Sequence, residues 1–238
     1  MKKLLTDLRV ESKINQTYPI LGLDCVEEAK NKRHWLNYKK NITYQFNSRG
    51  FRDNEWPADL DNAIWCFGDS FTVGMGQPFD EIWPQLLEKQ TGIRTVNVSM
   101  NGASNDWIAR KVVDLITAVT PPIIFIQWSY LHRRENNDSA LGDEARTLHC
   151  NSDDFYDYEN FLKNVDQLST TTKIIHSWIP RYFDFHYETD LDTKIYQAMN
   201  QRQLKFITDI EQLDYARDGH HYDLRTAQKY VGHYLRYL

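Results

Sequence analysis

Hydrophobic and polar residues follow one another in blocks along most of the chain, and one apolar block ends in a polar turn. Residues 63–67 are apolar without interruption, and the motif Gly68-Asp69-Ser70 follows them directly. A continuous apolar run of this length is typical of a strand that is buried on both faces. The pattern predicts a central strand that presents Ser70 at the carboxyl edge of a sheet, where ligands bind in open α/β folds.

After residue 60, further apolar runs alternate with segments whose apolar residues recur about every 3.6 positions. The runs predict three more strands, at 95–99, 123–128 and 173–179. The periodic segments predict helices at 78–90, 104–119, 155–165, 192–212 and 223–238. A short last strand is predicted at 213–216. Strands separated by helices are typical of βαβ units, so we predict an α/β fold with a parallel sheet.

The beginning of the chain shows weaker periodicity than the rest. Residues 41–47 alternate as a short strand does, and the turn residues Asn, Ser and Gly follow within 47–52. We interpret residues 1–60 as an extension packed on a main domain of residues 61–238, because its apolar residues are too few for a separate core. Arg52 is interpreted as a partner in a structural ion pair.

Two polar segments of the main domain are predicted to be loops. Residues 131–152 form a long polar stretch, and residues 181–189 form an aromatic-rich stretch. Long loops frequently carry function. The aromatic residues of the second loop are suited to stacking against the face of a sugar.

Composition narrows the classes of partner. The 238 residues carry a formal net charge of −5, and 26% of them are charged, which is ordinary for a globular protein. A negative net charge gives no electrostatic reason to expect nucleic-acid binding. No apolar run approaches the roughly 20 residues that a membrane-spanning helix needs, and no signal-peptide pattern is present. We expect a cytoplasmic protein without membrane or nucleic-acid partners, encoded by a cell or by a virus within one.

Residue types that are able to bind a metal ion or a cofactor are not clustered in the sequence. The cysteines at 25, 66 and 150 are far apart and form no CxxC pair. His220, His221 and Asp223 have no further ligand cluster at metal spacing, so no metal site is predicted. Gly74-Met75-Gly76 lacks the lysine and the spacing of a phosphate-binding loop, and no cofactor is predicted.

A second polar motif near the end of the chain complements Ser70. In Asp218-Gly-His-His221, the aspartate can bind one ring nitrogen of His221 and leave the other to take the proton of Ser70. Gly102 follows the second predicted strand, and its backbone N–H can bind a developing oxyanion together with that of Ser70. The residues therefore predict a serine nucleophile, a histidine base, an orienting acid and two oxyanion donors.

These motifs, in this order and each at the end of a predicted strand, resemble the SGNH hydrolases, also called GDSL-type esterases and lipases. The resemblance covers roughly residues 61–238, and Asn47-Ser-x-Gly-Phe-Arg52 resembles a segment that precedes this domain in some microbial and viral members. The family implies a flavodoxin-like three-layer α/β/α sandwich. It also implies O-ester hydrolysis by a triad of Ser70, His221 and Asp218, with Gly102 in the oxyanion hole.

The third motif of the family, Gly-x-Asn-Asp, is absent from this chain. Its asparagine provides a third oxyanion donor, and the sequence from Gln127 to Arg133 stands in its place. Asn105, near Gly102, is one candidate for the missing donor. Arg133, oriented by Glu135, is a candidate for binding the substrate or the oxyanion.

Two further residues are candidates for contact with the substrate. Trp128 is at the end of the third predicted strand, where lining a pocket and packing in the core are equally consistent with its position. Asp69 adjoins the nucleophile, although a role in the turn explains an aspartate there better than a catalytic role does.

Three functions remain open from the sequence. The first is a serine esterase acting on a small-molecule or carbohydrate ester with a short acyl group, such as an acetylated sugar. The second is an O-acyltransferase on the same fold. The third is a non-catalytic binding or structural protein, such as a viral component, which the missing asparagine favours and the Asp218–His221 pair disfavours.

Overall fold

The chain was examined as a computed structural model, which describes most of its residues. The described residues are 7–22, 24, 40–136, 138, 141–144, 146–150, 153–168, 171–180, 191–208 and 210–238. Cys25 and the predicted aromatic-rich loop at 181–189 lie outside them.

A five-stranded parallel sheet forms the centre of the main domain. The strands are β1 (Thr17–Tyr18), β2 (Tyr44–Gln45), β3 (Ile64–Gly68), β4 (Thr95–Ser99), β5 (Ile123–Trp128), β6 (Arg133–Glu135), β7 (Thr147–His149), β8 (Lys173–Trp178) and β9 (Lys205–Ile207). The sheet has the order β4-β3-β5-β8-β9, and all neighbouring strands are parallel. Every residue of β3 and β5 is buried, which explains their uninterrupted apolar runs.

Helices flank this sheet. They are α1 (Ser70–Val73), α2 (Trp83–Thr91), α3 (Asn105–Ile116), α4 (Asp154–Asp166), α5 (Leu191–Gln201) and α6 (Leu224–Tyr234). Helices α2 and α6 pack together, while α4 packs against both α3 and α5. Ser104 caps α3, because its side chain accepts a hydrogen bond from the N–H of Trp107 at 3.2 Å. The predicted α/β fold with a central parallel sheet is therefore confirmed.

The predicted helix at 192–212 is present over residues 192–201, and the prediction was wrong over residues 202–216. Helix α5 ends at Gln201, and the fifth strand is β9 at Lys205–Ile207, inside the predicted helix. Gln203 has a φ of 57°, a left-handed conformation that usually requires glycine. The sequence therefore lacked the glycine or proline that normally marks a helix end. Residues 213–216 form no strand.

The long segment at 131–152 is also more ordered than predicted. Strands β6 and β7 form an antiparallel pair, in which Arg133 lies opposite His149 and Glu135 lies opposite Thr147. Both strands are too short to show an alternating pattern in the sequence.

The described part of the chain before residue 61 packs on the main domain. Strands β1 and β2 pair antiparallel, and Tyr44 forms a buried cluster with Val73 and Met75 of the main domain. Phe51 belongs to the large core around the sheet. The boundary at residue 60 stays a prediction. Within the described ranges, none of the helices has the length and apolar character needed to cross a bilayer.

Candidate active site

The turn after β3 presents Ser70 as the first residue of a one-turn helix. Asp69 precedes it as the N-cap and accepts a hydrogen bond from the N–H of Phe71 at 3.0 Å. Because the carboxyl ends of parallel strands share one edge, the segments after β3, β4 and β5 all reach the same edge of the sheet. Ser70, Gly102 and Arg133 follow these three strands in turn.

The three predicted triad residues lie in one hydrogen-bonded row. Nε2 of His221 is 2.7 Å from Oγ of Ser70. Nδ1 of His221 is 2.5 Å from Oδ2 of Asp218. The other carboxylate oxygen of Asp218 accepts the backbone N–H groups of His220 and His221, at 3.0 and 3.1 Å. The row is therefore fixed by four hydrogen bonds, and it can relay a proton from the serine to the imidazole.

The surroundings keep the Asp218 carboxylate ionised. Burial raises its pKa, but hydrogen bonds from the His221 ring and from two backbone N–H groups outweigh burial, and the net pKa lies below its ordinary value. An ionised carboxylate at this position stabilises the imidazolium that forms when His221 accepts a proton. The Phe71 ring packs against the imidazole, with the ring centres 4.5 Å apart.

Two backbone N–H groups at this edge have the character of oxyanion donors. Gly102 has a φ of 79°, a left-handed conformation that favours glycine, and the space beside its Cα is open. Among the described residues, neither its N–H nor that of Ser70 has a hydrogen-bond acceptor. Both groups are therefore available to an oxygen atom of a ligand.

Asn105 braces the edge of the sheet that carries Ser70, and its role as an oxyanion donor stays a prediction. Its side-chain oxygen accepts the N–H of Ser129 at 2.8 Å, and its amide nitrogen donates to the carbonyl of the same residue at 3.1 Å. Asn105 is buried. This double contact ties the start of α3 to the segment after β5 and leaves the second N–H of the amide for another acceptor.

Arg133 reaches the site, and Asp69 orients it. Nη1 of Arg133 lies 3.0 Å from Oδ2 of Asp69, which also accepts the hydroxyl of Ser129 at 2.6 Å. Nε of Arg133 is buried and has no hydrogen-bond partner in the described structure. Glu135, the predicted orienting residue, pairs with Arg110 at 2.6 Å. Asp69 is completely buried, so its predicted contact with the substrate is replaced by a contact with Arg133.

Trp128 belongs to the core. Its side chain is completely buried, its Nε1 donates to Nδ1 of His176 at 3.1 Å, and its ring meets Phe161 edge to face. The prediction that it contacts a substrate was wrong, because its ring faces the packed interior and not the edge of the sheet.

Sequence reasoning missed a polar link beneath the site. Oγ1 of Thr72 donates to the side chain of Gln127 at 2.9 Å, and Gln127 donates to the hydroxyl of Tyr222 at 3.2 Å. The link joins helix α1, strand β5 and the residue after His221. A glutamine inside the apolar run of 123–128 was the available signal, since buried polar side chains need partners. The described residues contain no cluster of histidine, cysteine and acidic side chains suited to a metal ion.

Comparisons with known proteins identify the fold. Neither a scan against protein-family models nor a search of curated proteins found a match. A solved structure of a lipolytic protein of the G-D-S-L family from Veillonella parvula has a TM-score of 0.52 and 20% identity, over 73% of this chain and 96% of that one. An acetyl xylan esterase, Est2A from Butyrivibrio proteoclasticus, has a TM-score of 0.50 and 13% identity, over 78% of this chain and 65% of that one.

These structures share the layered architecture described above. The chain therefore has the fold of the SGNH hydrolases, and the resemblance predicted from its motifs is confirmed at the level of the fold.

Proposed function

We propose that the protein is a serine esterase. Ser70 attacks the carbonyl carbon of an ester while His221 takes the hydroxyl proton, and a tetrahedral intermediate forms. His221 then gives that proton to the leaving alcohol, and an acyl group remains on Ser70. Water attacks the acyl group while His221 takes a proton from the water. His221 then returns that proton to Oγ of Ser70 as the bond from Oγ to the acyl carbon breaks, and the acid is released.

The single observation that carries the proposal is the row from Ser70 through His221 to Asp218. The nucleophile, the base and the orienting acid come from two turns that are about 150 positions apart in the chain, at hydrogen-bonding distances of 2.7 and 2.5 Å. A binding protein without catalysis has no need for such a row, which is why we place the non-catalytic alternative second.

The oxyanion is proposed to bind to the N–H groups of Ser70 and Gly102, with Arg133 as the third donor. The missing asparagine of the third motif leaves that position to another group. Arg133 supports the assignment because its Nη1 also lies 3.4 Å from the carbonyl of Ala103, next to Gly102, and its Nε has no partner. The Asp69 carboxylate balances its charge, so Arg133 acts as a donor without attracting anions strongly.

The substrate class that we favour is an acetylated carbohydrate. A cavity of about 690 Å³ lies at the carboxyl ends of β8 and β9, on the same edge as Ser70. Its walls combine aromatic rings with acids, including Trp178, Tyr196, Phe206, Asp192 and Glu211. Aromatic faces against sugar rings and carboxylates toward hydroxyls are suited to binding carbohydrates. One of the proteins with a similar fold is described as an acetyl xylan esterase.

Turnover of p-nitrophenyl acetate tests the proposed chemistry. We expect hydrolysis by the wild type and a rate near background for Ser70→Ala, because the nucleophile is removed. Equal rates for the two proteins would remove Ser70 from the mechanism. Adding a sugar acceptor distinguishes an esterase from an O-acyltransferase. An acyltransferase would transfer the acetyl group to the sugar faster than to water.

The cavity is tested with an acetylated oligosaccharide. We expect Tyr196→Ala to raise KM for this substrate several-fold, about 3- to 10-fold, and to leave the kinetics with p-nitrophenyl acetate unchanged. Tyr196 is 46% exposed, so its loss should not disturb folding. An unchanged KM for the oligosaccharide would exclude this cavity from substrate binding.

A further inference from the structure

Arg52 contacts the turn that carries the proposed nucleophile. It is completely buried, and its Nη1 lies 3.0 and 2.6 Å from the carbonyl oxygens of Val73 and Gly74. Its Nη2 lies 2.8 Å from the carbonyl oxygen of Gln77. The carbonyls of Val73 and Gly74 lie at the end of α1, the single turn that begins at Ser70. Because helix ends leave carbonyls without partners, the guanidinium supplies donors that so short a helix lacks.

Tyr44 supports this contact and extends it. The Arg52 guanidinium lies over the Tyr44 ring, 4.5 Å from its centre. The Tyr44 hydroxyl accepts the N–H of Gly76 at 2.8 Å and donates to the carboxylate of Asp24. Burial raises the pKa of the Tyr44 phenol, so the hydroxyl remains a donor at neutral pH.

Asp24 connects the same group to the turn before the proposed acid. Its two carboxylate oxygens bind the Arg217 guanidinium at 2.5 and 2.7 Å. Arg217 directly precedes Asp218, and its backbone N–H donates to the carbonyl of Gly76 at 3.1 Å. Gly76 has a φ of 74°, and a Cβ there would come within 2.9 Å of the Arg217 nitrogen, so the two turns meet only because residue 76 is glycine.

We propose that Asp24, Tyr44 and Arg52 are positioning residues that hold Ser70 and Asp218 in the geometry required for reaction; this rests on the proposed function. The three side chains belong to the segment before residue 61, yet they bind both turns from which the triad comes. Rates fall steeply when reacting groups are displaced by even 1 Å. The segment is therefore part of the catalytic unit and more than a cover on the domain. Burial lowers the pKa of Arg52 to about 10, which leaves its guanidinium charged at neutral pH.

Two conservative variants and a matched control test the proposal. Asp24→Asn keeps the size of the side chain but removes the charge that binds Arg217. Arg52→Lys keeps the charge, but an ammonium group lacks the planar fork that reaches three carbonyls. The control is Asp53→Asn: Asp53 is also buried in the segment before residue 61, but it binds Arg94, at 2.8 Å, where β4 begins.

With p-nitrophenyl acetate, we expect kcat to fall about 10- to 100-fold in Asp24→Asn and Arg52→Lys. KM should change by less than about twofold, since no group that binds the substrate is removed. Asp53→Asn should keep the wild-type kcat. The kinetics of all variants are compared under conditions in which urea unfolding curves show that each variant is fully folded. Wild-type kcat in both test variants, or an equal loss in the control, would overturn the positioning role.

A second readout does not depend on turnover. The low-field NMR resonance of the proton on Nδ1 of His221 reports the hydrogen bond to Asp218. It should shift or broaden in Asp24→Asn and Arg52→Lys and stay in place in Asp53→Asn, and an unchanged resonance in all three would also overturn the proposal. If the wild type hydrolysed the ester no faster than Ser70→Ala, the proposed esterase function would be overturned instead. The NMR resonance of His221 would then be the one measurement that decides the positioning role.

Discussion

Two buried carboxylates belong to the candidate site, and each has a different partner. Asp69 binds the Arg133 guanidinium at 3.0 Å, whereas Asp218 binds the His221 ring at 2.5 Å. The separate partners give the two carboxylates separate tasks. In the proposed mechanism, Asp69 holds Arg133 on the oxyanion side of the site, and Asp218 orients His221 as the base.

Replacing Asp218 by asparagine tests the second task. We expect Asp218→Asn to lower kcat by about 10³- to 10⁴-fold, because an amide holds the imidazole in the wrong tautomer and does not stabilise the imidazolium. Steady-state hydrolysis of p-nitrophenyl acetate measures the effect. Asp223→Asn is the control, since that buried carboxyl lies two residues after His221 and outside the row. A similar kcat for both variants would contradict the assignment.

At this scale, the sequence predicted local relations better than distant ones. Asp218 and His221 are three positions apart, and Ser70 and Gly102 follow strand ends, so chain spacing alone brought them to the right edge. The contacts of Asn105 with Ser129 could not be predicted, because the two residues are 24 positions apart in the chain. No sequence pattern shows that a polar side chain is already engaged by a distant backbone group.

At the scale of elements, helix α6 fixes the position of His221. The helix begins at Leu224, three residues after the imidazole, and its first turn is held by Asp214. The Asp214 carboxylate accepts the N–H of Arg225 at 2.7 Å and both the N–H and the hydroxyl of Thr226, at 3.1 and 2.6 Å. A carboxylate at a helix N-terminus also interacts favourably with the helix dipole.

Loss of this cap should destabilise the protein. We expect Asp214→Ala to lower the free energy of unfolding by about 1–3 kcal/mol, because the N–H groups at the start of α6 lose their acceptor. Urea unfolding measures the change. Asp192→Ala removes a carboxylate from the first turn of α5 whose hydrogen bond among the described residues is to the N–H of Thr193. This change should cost about 0.5 kcal/mol or less. If both variants lost the same free energy of unfolding, the contacts of Asp214 with the start of α6 would not stabilise the protein as proposed.

The elements with strong periodicity were predicted well, and the short ones were not. Strands β3, β4, β5 and β8 carry long apolar runs, and α3 shows a regular apolar face. Strand β9 has only three residues, and the residue with positive φ between helix α5 and this strand is Gln203, which is not a glycine. Such an ending depends on how the chain packs, so the pattern extended the helix through the strand.

At the scale of the whole molecule, two buried acids link folding to pH. Burial raises the pKa of both Asp53 and Asp223 to about 7; Arg94 opposes the rise at Asp53, and nearby Asp214 adds to it at Asp223. In an unfolded chain these carboxyl groups ionise near pH 4. Between about pH 4 and 7 the folded state therefore holds protons that the unfolded state has released.

Over this range the two carboxyl groups contribute a free energy of unfolding that falls as pH rises, whereas His132 and His176, whose pKa values burial lowers to about 4 and about 3, contribute the opposite trend. We expect Asp223→Asn to remove the contribution of Asp223, so that the variant is more stable than the wild type by about 1–2 kcal/mol at pH 8 and equally stable near pH 4. Urea unfolding at the two pH values measures the difference. The exposed Asp80→Asn is the control and should leave the pH dependence as it is. If the free energies of unfolding of the wild type and of Asp223→Asn changed equally from pH 5 to pH 8, this account would be contradicted.

The overall architecture followed from the alternation of strands and helices, and its likeness to known structures bears this out. What the sequence did not reveal was how closely the segment before residue 61 engages the proposed site. Arg52 and Asp24 were single charged residues in a weakly periodic stretch, and Arg52 was interpreted only as an ion-pair partner. It binds backbone carbonyls instead, and a backbone acceptor leaves no trace in a sequence.

Labelling with a fluorophosphonate tests the central claim most directly, because the probe reacts only with a serine hydroxyl that a neighbouring base activates. The account predicts one covalent adduct, located on Ser70 by peptide mass spectrometry, and no adduct in Ser70→Ala or His221→Ala. A folded wild type that acquires no adduct, or acquires it on another residue, would contradict the account.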